Sequence, residues 1–291
     1  MAFLDRQATT LALAHALSAA ERGLAVIPLS RTKLPALRSP HRDDPGPGRP
    51  PCHGECGRFG HGVHDASADP ARVRALFAAA PRATGYGIAC GLPPYHLIGV
   101  DLDTKAGTDA VAALRGLARR HLFTVPATVV VLTPSGGRHL WLSGPADVAV
   151  PNSASRLAPG IDIRGAGGYL VGPGSRTERG VYAVAPGTGR LPPAPCPPAL
   201  LRLLLPPPHA PGHRAHPQGD RSGESLVRFV LAAHEGQRNA RLFWAACRAY
   251  ETGIGPALTI PLTVAATTTG LTEREARATI ASAARRTDRH P

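Results

Sequence analysis

The hydrophobic pattern opens with two different runs. Residues 10–20 are nearly all apolar, as in a secretory leader, but Asp5 and Arg6 precede them, His15 interrupts them and Glu21-Arg22-Gly23 closes them. That arrangement predicts an amphipathic first helix stopped by Gly23. Residues 24–29 form a short continuous apolar stretch, read as a buried strand, and Lys33-Leu34-Pro35 opens a long loop. The stretch 38–66 is too rich in Pro, Gly, His and Cys for regular structure. Asp69-Pro70 then caps a helix running to residue 80. Strands are predicted at 86–90, 96–103, 127–133, 139–142, 161–164, 168–172 and 180–184, with a helix at 108–121 entered through Gly107. Helix-separated and hairpin-like strands together predict an α+β fold with a mixed or antiparallel sheet flanked by helices.

Proline recurs between 186 and 217, leaving room for one short helix at 200–205. The chain is therefore divided into a first domain at 1–205, a Pro-rich linker at 206–221 and a small helical tail at 222–291. In the tail, residues 238–250 are helical and Thr272-Glu273-Arg274-Glu275 has the form of a capping box opening the last helix.

A length of 291 residues allows one large and one small core. The net charge of +13 favours a polyanionic partner. Lysine occurs only at 33 and 105, however, and heavy Arg, Ala, Gly and Pro usage has the look of a GC-rich coding bias, so the charge is permissive evidence. Five cysteines, only Cys52 and Cys56 close together, make no disulfide framework and fit a reducing, cytoplasmic setting. No stretch reaches the roughly 20 apolar residues needed to span a bilayer.

The segment Leu97-Ile98-Gly99-Val100-Asp101-Leu102-Asp103 carries the sharpest chemistry. As a strand, it turns Ile98, Val100 and Leu102 to one side and both aspartates to the other. Two carboxylates so placed repel each other unless a cation lies between them, and an oxygen-ligated divalent metal answers that need. Taken alone, such a pair more often means surface acids at a solvated strand end. Thr133-Pro134-Ser135-Gly136-Gly137-Arg138-His139 is a glycine turn entering a strand, with a hydroxyl, a guanidinium and an imidazole beside amides that can approach an anion. It is not a Walker loop. Asp162 and Arg164 share one face of a third strand before another glycine turn.

In order and spacing, these segments resemble the bifunctional DNA primase/polymerase (prim-pol) family of the archaeo-eukaryotic primase superfamily. Asp101 and Asp103 match its acidic pair, Ser135 to His139 its serine-x-histidine strand, and Asp162 its later single aspartate. Residues 23–29 with Lys33 and Pro35, Asp65-Ala66 to Asp69-Pro70, and 168–175 also fit; the likeness covers roughly 10–205. The resemblance implies template-directed joining of an NTP or dNTP to a 3′-hydroxyl on DNA. Asp101, Asp103 and Asp162 would hold Mg²⁺ or Mn²⁺. His139, Ser135, Gly136 and Gly137 would meet the nucleotide phosphates, with Arg138 or Arg164, and Lys33, adding charge. The second acid is often Glu in the family; Asp103 is shorter and bears on metal preference. Glu235 to Leu242 and Gly270 to Ala276 resemble the helical segment that follows many such domains, and a helicase would be a separate partner.

Cys52-His53-Gly54-Glu55-Cys56 and the histidines 61 and 64 crowd metal donors into a loop at 50–65 that has no core of its own. A structural Zn²⁺ held by Cys52, Cys56, His61 and, ahead of His53, His64 would supply the missing constraint. Two rival readings stand beside the polymerase. One is a D-x-D glycosyltransferase, which would not need Ser135, His139 and Asp162 to converge. The other is a nucleic-acid-binding replication protein that keeps the fold without catalysis.

Overall fold

The computed structural model describes residues 2–42, 52–104, 109–205, 219–233 and 238–287. The Gly107 turn, the first residues of the loop at 50–51, linker residues 206–218 and Glu235-Gly236-Gln237 lie outside them. The chain forms two compact units, Met1–Pro206 and Pro207–Pro291. The first is α+β.

Its helices are α1 (Ala2–Glu21), α2 (Pro70–Ala79), α3 (Ala110–Arg120) and α4 (Pro198–Leu204), with a 3₁₀ turn at Gly62–Asp65. Ala12, Ala16, Ala19 and Ala20 form the buried stripe of α1. The Asp69 carboxylate accepts from Ala71 N at 3.2 Å and Arg72 N at 3.0 Å, and Pro70 in the first turn needs no amide partner.

One sheet takes β1 (Val26–Leu29), β2 (Gly85–Ala89) and β7 (Tyr169–Val171) in the order β1-β2-β7. The larger sheet is built from β3 (Ile98–Leu102), β4 (Val130–Leu132), β5 (Arg138–Ser143), β6 (Ile161–Arg164) and β10 (Ala183–Val184). Its order is β10-β4-β5-β3-β6, all antiparallel, and β11 (Ala194–Pro195) adds a parallel pairing to β5. A separate hairpin joins β8 (Arg176–Thr177) to β9 (Gly180–Val181), so the strand expected at 180–184 is two short pieces divided at Tyr182.

Strand alternation divides the larger sheet into two faces. Ile98, Val100, Leu102, Leu140, Leu142, Ile161 and Ile163 point into a core closed by Leu114 and Leu117 of α3 and Leu200 and Leu204 of α4. On the other face, Val131 and Trp141 join a second core with α1, α2 and the smaller sheet. Gly99 lets the two sheets approach there: a Cβ at that position would lie 2.6 Å from the Leu170 side chain. The interior face carrying the acids is therefore roofed by the smaller sheet, while the strand ends remain accessible.

The second unit consists of α5 (Gly219–Leu231), α6 (Arg238–Glu251), α7 (Gly255–Thr268) and α8 (Glu273–Thr287). Leu226, Val230, Leu242, Leu262 and Ile280 are the large members of its alanine-rich core. Helix α5 starts inside the segment expected to be linker. Helix α7 falls within the tail expected to be helical, though no segment of its own was singled out there; Pro256 sits in the first turn and the bundle tolerates Pro261. The capping box forms as expected: Thr272 N donates to Glu275 Oε2 at 3.0 Å and Glu275 N to Thr272 Oγ1 at 3.2 Å. Among the described residues, no helix is long and apolar enough to cross a membrane.

Candidate active site and metal-binding loop

Strand register brings three distant segments together. Asp101 on β3 lies opposite His139 on β5 and opposite Asp162 on β6. Directly opposed residues share a face of the sheet, so the three side chains form one row across the interior face. His139 Nε2 is 3.6 Å from Asp101 Oδ1. Asp103 follows two residues after Asp101 on the same face, its N–H bonded to Gly160 O at 2.8 Å. Arg164, two residues after Asp162, places its guanidinium 3.2 Å from Asp162 Oδ2 and 3.6 Å from Asp101 Oδ2. The other oxygen of Asp162 accepts from Ser155 N at 2.9 Å. Ser155 (φ 49°) and Lys33 (φ 69°) both bend through the left-handed region without being glycine.

Charge in this row is unevenly tolerated. Burial pushes the Asp101 carboxyl up to about 6; Arg164 pulls it down, and Asp103 and Asp162 push it up further. Burial likewise lowers His139 to about 4, with Arg164 and Lys33 acting in the same direction and Asp103 against them. His139 is thus a neutral imidazole at physiological pH. Its Nδ1 is buried without a hydrogen-bond partner. The Tyr182 ring lies 5.5 Å from it, and burial, then Asp101 and Asp103, raise that phenol to about 12. Tyr182 had no signal in the sequence: it stands at the break between two short strands.

The Pro134-Ser135-Gly136 loop closes the β4–β5 hairpin through Gly136 N to Thr133 O and Thr133 N to Gly137 O, both at 3.0 Å, with Gly136 at φ 86°. Gly137 passes so close to β3 that a Cβ would fall 2.6 Å from Leu102 O. Thr104 Oγ1 donates to Ser135 O at 3.1 Å, and the Ser135 and Thr133 hydroxyls are 3.1 Å apart. The turn is thereby held beside the end of the acidic strand. Arg138 does not join the row. It pairs with Leu102 and Leu132, so alternation puts it on the other face and leaves Arg164 as the guanidinium among the acids. Lys33 is exposed; its carbonyl accepts from the Tyr169 hydroxyl at 2.9 Å.

Against known families, the bifunctional DNA primase/polymerase N-terminal family (Prim-Pol) matches residues 16–199. The chain belongs to the Prim-Pol family. No curated protein matches it. The Prim-Pol region takes in the acidic row, the Ser135–Gly137 turn and the cysteine-histidine loop, and it ends within α4. Membership carries nucleotidyltransferase chemistry of the primase/polymerase type, with nucleic acid and nucleotides as partners.

The loop also gathers donors, with one correction. His41, Cys52, Cys56 and His61 each offer a ligand atom within 4.8 Å of the others, a set that could hold a metal such as zinc. Among the described residues this is the one such group, and the acidic row is not drawn as tightly. His64, expected as the fourth ligand, lies in the 3₁₀ turn with its ring stacked on His53 at 4.1 Å between centroids. His41 takes its place from outside the dense run; its ring centroid is 5.4 Å from that of His61. The Cys56 thiol is lowered to about 6, first by a backbone N–H hydrogen bond from Arg58, with His41, Cys52 and His61 adding to it against desolvation. A thiol so disposed to ionise suits zinc ligation.

Proposed function

We propose that the chain is a template-directed nucleotidyltransferase that joins an NTP or dNTP to a 3′-hydroxyl on primed DNA. The observation that supports this most directly is the shared register of Asp101, His139 and Asp162 on three neighbouring strands. A surface D-x-D pair, or a glycosyltransferase using one, has no need of that convergence.

In this reading Asp101, Asp103 and Asp162 hold Mg²⁺ or Mn²⁺. The donor set fits: a carboxylate whose ionisation is opposed by burial and by two neighbouring carboxylates gains from a divalent cation. Bound there, such ions lower the pKa of the attacking hydroxyl and offset charge on the triphosphate. The neutral His139 donates its single N–H to a phosphate oxygen. The Gly136 and Gly137 amides are bonded within their turn to Thr133 O and Thr133 Oγ1, so the turn offers the phosphates the Ser135 hydroxyl, and Arg164 and Lys33 supply fixed positive charge. Residues 1–205 act as the catalytic domain, and the helical unit that begins with α5 at Gly219 acts as a tail that contacts template or initiating nucleotide. The Cys/His group is a structural zinc centre, and a helicase is a separate partner.

A non-catalytic, DNA-binding reading has one observation in its favour. Arg164 bridges Asp101 and Asp162 and so balances the acids without a metal. Primer-template extension with Mg²⁺ or Mn²⁺ decides between the two. Asp101→Ala is expected to lower incorporation by roughly 100-fold or more, the equivalent of several kcal/mol of charge stabilisation, while DNA binding persists. A variant that extends as fast as the wild type removes the catalytic assignment. Salt-sensitive DNA binding with no metal-dependent incorporation by the wild type supports the binding protein.

A further inference from the structure

Beside the cysteine-histidine group stands a buried carboxylate that neither the polymerase chemistry nor the metal ligands use. Asp65 closes the 3₁₀ turn and is 2% exposed. Its two oxygens do different things. Oδ2 accepts from Gly60 N at 2.7 Å and His61 N at 2.9 Å, shaping the turn that presents His61. Oδ1 faces His61 Nδ1 at 3.4 Å, and both of those atoms are buried with no hydrogen bond closed. On the far side of the same ring, His61 Nε2 is 3.4 Å from Cys56 Sγ within the four-donor group.

A neutral imidazole has one proton for its two nitrogens. On Nε2, it would leave the Nδ1 lone pair against a carboxylate oxygen in a dry setting, an electrostatic clash. On Nδ1, it satisfies Asp65 Oδ1 and turns the Nε2 lone pair toward the Cys56 sulfur. With Cys56 as a thiol, its S–H donates to that lone pair across 3.4 Å; with Cys56 as the thiolate that binds metal, two electron-rich atoms face each other there, an arrangement that a cation between them relieves. We propose that Asp65 is the outer-sphere carboxylate of this centre, fixing His61 in the Nδ1–H form so that Nε2 ligates the metal. Asp65 is a positioning residue rather than a ligand. The proposal rests on the Cys/His group being a zinc centre. Its rival is a metal-free ion pair between a Cys56 thiolate and a His61 imidazolium, in which both ring nitrogens carry protons.

Zinc affinity of the full-length protein, measured by competition with a chromogenic chelator, tests it, with Cys56→Ser as the ligand-loss control. Asp65→Asn keeps an oxygen for the Gly60 and His61 amides but presents an NH₂ to Nδ1, favouring the wrong tautomer. It is expected to weaken zinc binding by roughly 10–100-fold. Equal affinity within about twofold would overturn the role of Asp65 while leaving the zinc centre standing. A wild-type chain that takes up no zinc would instead remove the centre itself, and the proposal with it. A second measurement needs no variant: ¹H–¹⁵N correlation of the His61 ring in the zinc-loaded wild type should show the proton on Nδ1. A proton on Nε2, or one on each nitrogen, refutes the assignment.

Discussion

The cost of keeping Asp101 ionised is open to direct measurement. Its carboxyl is raised from 3.8 to about 6, first by burial. The folded-state value stands above the unfolded one, so between about pH 4 and pH 6 the folded chain binds the extra proton and stability falls as pH rises. Roughly two units at ~1.4 kcal/mol each place up to about 3 kcal/mol against the fold above pH 6. Asp101→Asn resembles the protonated acid in shape and removes that opposition. For a unit of this size, the variant should melt roughly 5–10 °C higher than the wild type at pH 8, in metal-free buffer at low salt. The gap should close as pH falls from 6 toward 4, where the wild-type carboxyl is itself protonated. Thermal unfolding followed by circular dichroism across pH 4.5–8 reads it. Millimolar Mn²⁺ should raise the wild-type midpoint and leave the variant unmoved. An Asn variant no more stable at pH 8, or a gap independent of pH, would refute the picture of a buried, crowded carboxylate.

Two further outcomes concern packing and capping. Gly99→Ala should destabilise the Prim-Pol unit by about 1–3 kcal/mol through the clash with Leu170, and Leu170→Ala in the same chain should recover part of that loss, as read by denaturant unfolding. Thr272→Ala should remove ~1 kcal/mol of capping from α8, seen as faster amide exchange in Glu273–Thr287 with no change in residues of the larger sheet.

How much of this was legible in the sequence depends on the range of the interaction that decides each feature. The faces of β3 follow from a period of two, so alternation alone separates Ile98, Val100 and Leu102 from Asp101 and Asp103. Asp69-Pro70 marks a helix start by chemistry confined to four residues. Register across strands is different: nothing local shows that Asp162 stands opposite Asp101, and only the family resemblance joined them. Arg138 was misjudged because nearness along the chain outweighed alternation, which sends it away from its neighbour His139. His41 stayed hidden because ten residues, rich in proline and glycine, separate it from Cys52 and set it apart from the dense run of donors. In α7, tertiary burial of Leu262, Ala265 and Ala266 overrides what Pro261 and the threonines prefer locally.

Because Asp101, His139 and Asp162 meet through ladder pairing, the lengths of chain between them are free while the parity within each strand is not. An insertion in 145–149, ahead of the Val150–Ser155 contacts with β6 and its flanks, need only let β6 find its place again. One residue gained or lost inside β3, β5 or β6 would turn an acid or the imidazole into the apolar core packed against α3 and α4, and its apolar neighbour into the site. Relatives of this domain should therefore differ widely in the gaps between their motifs, yet keep an odd-even rule inside each one.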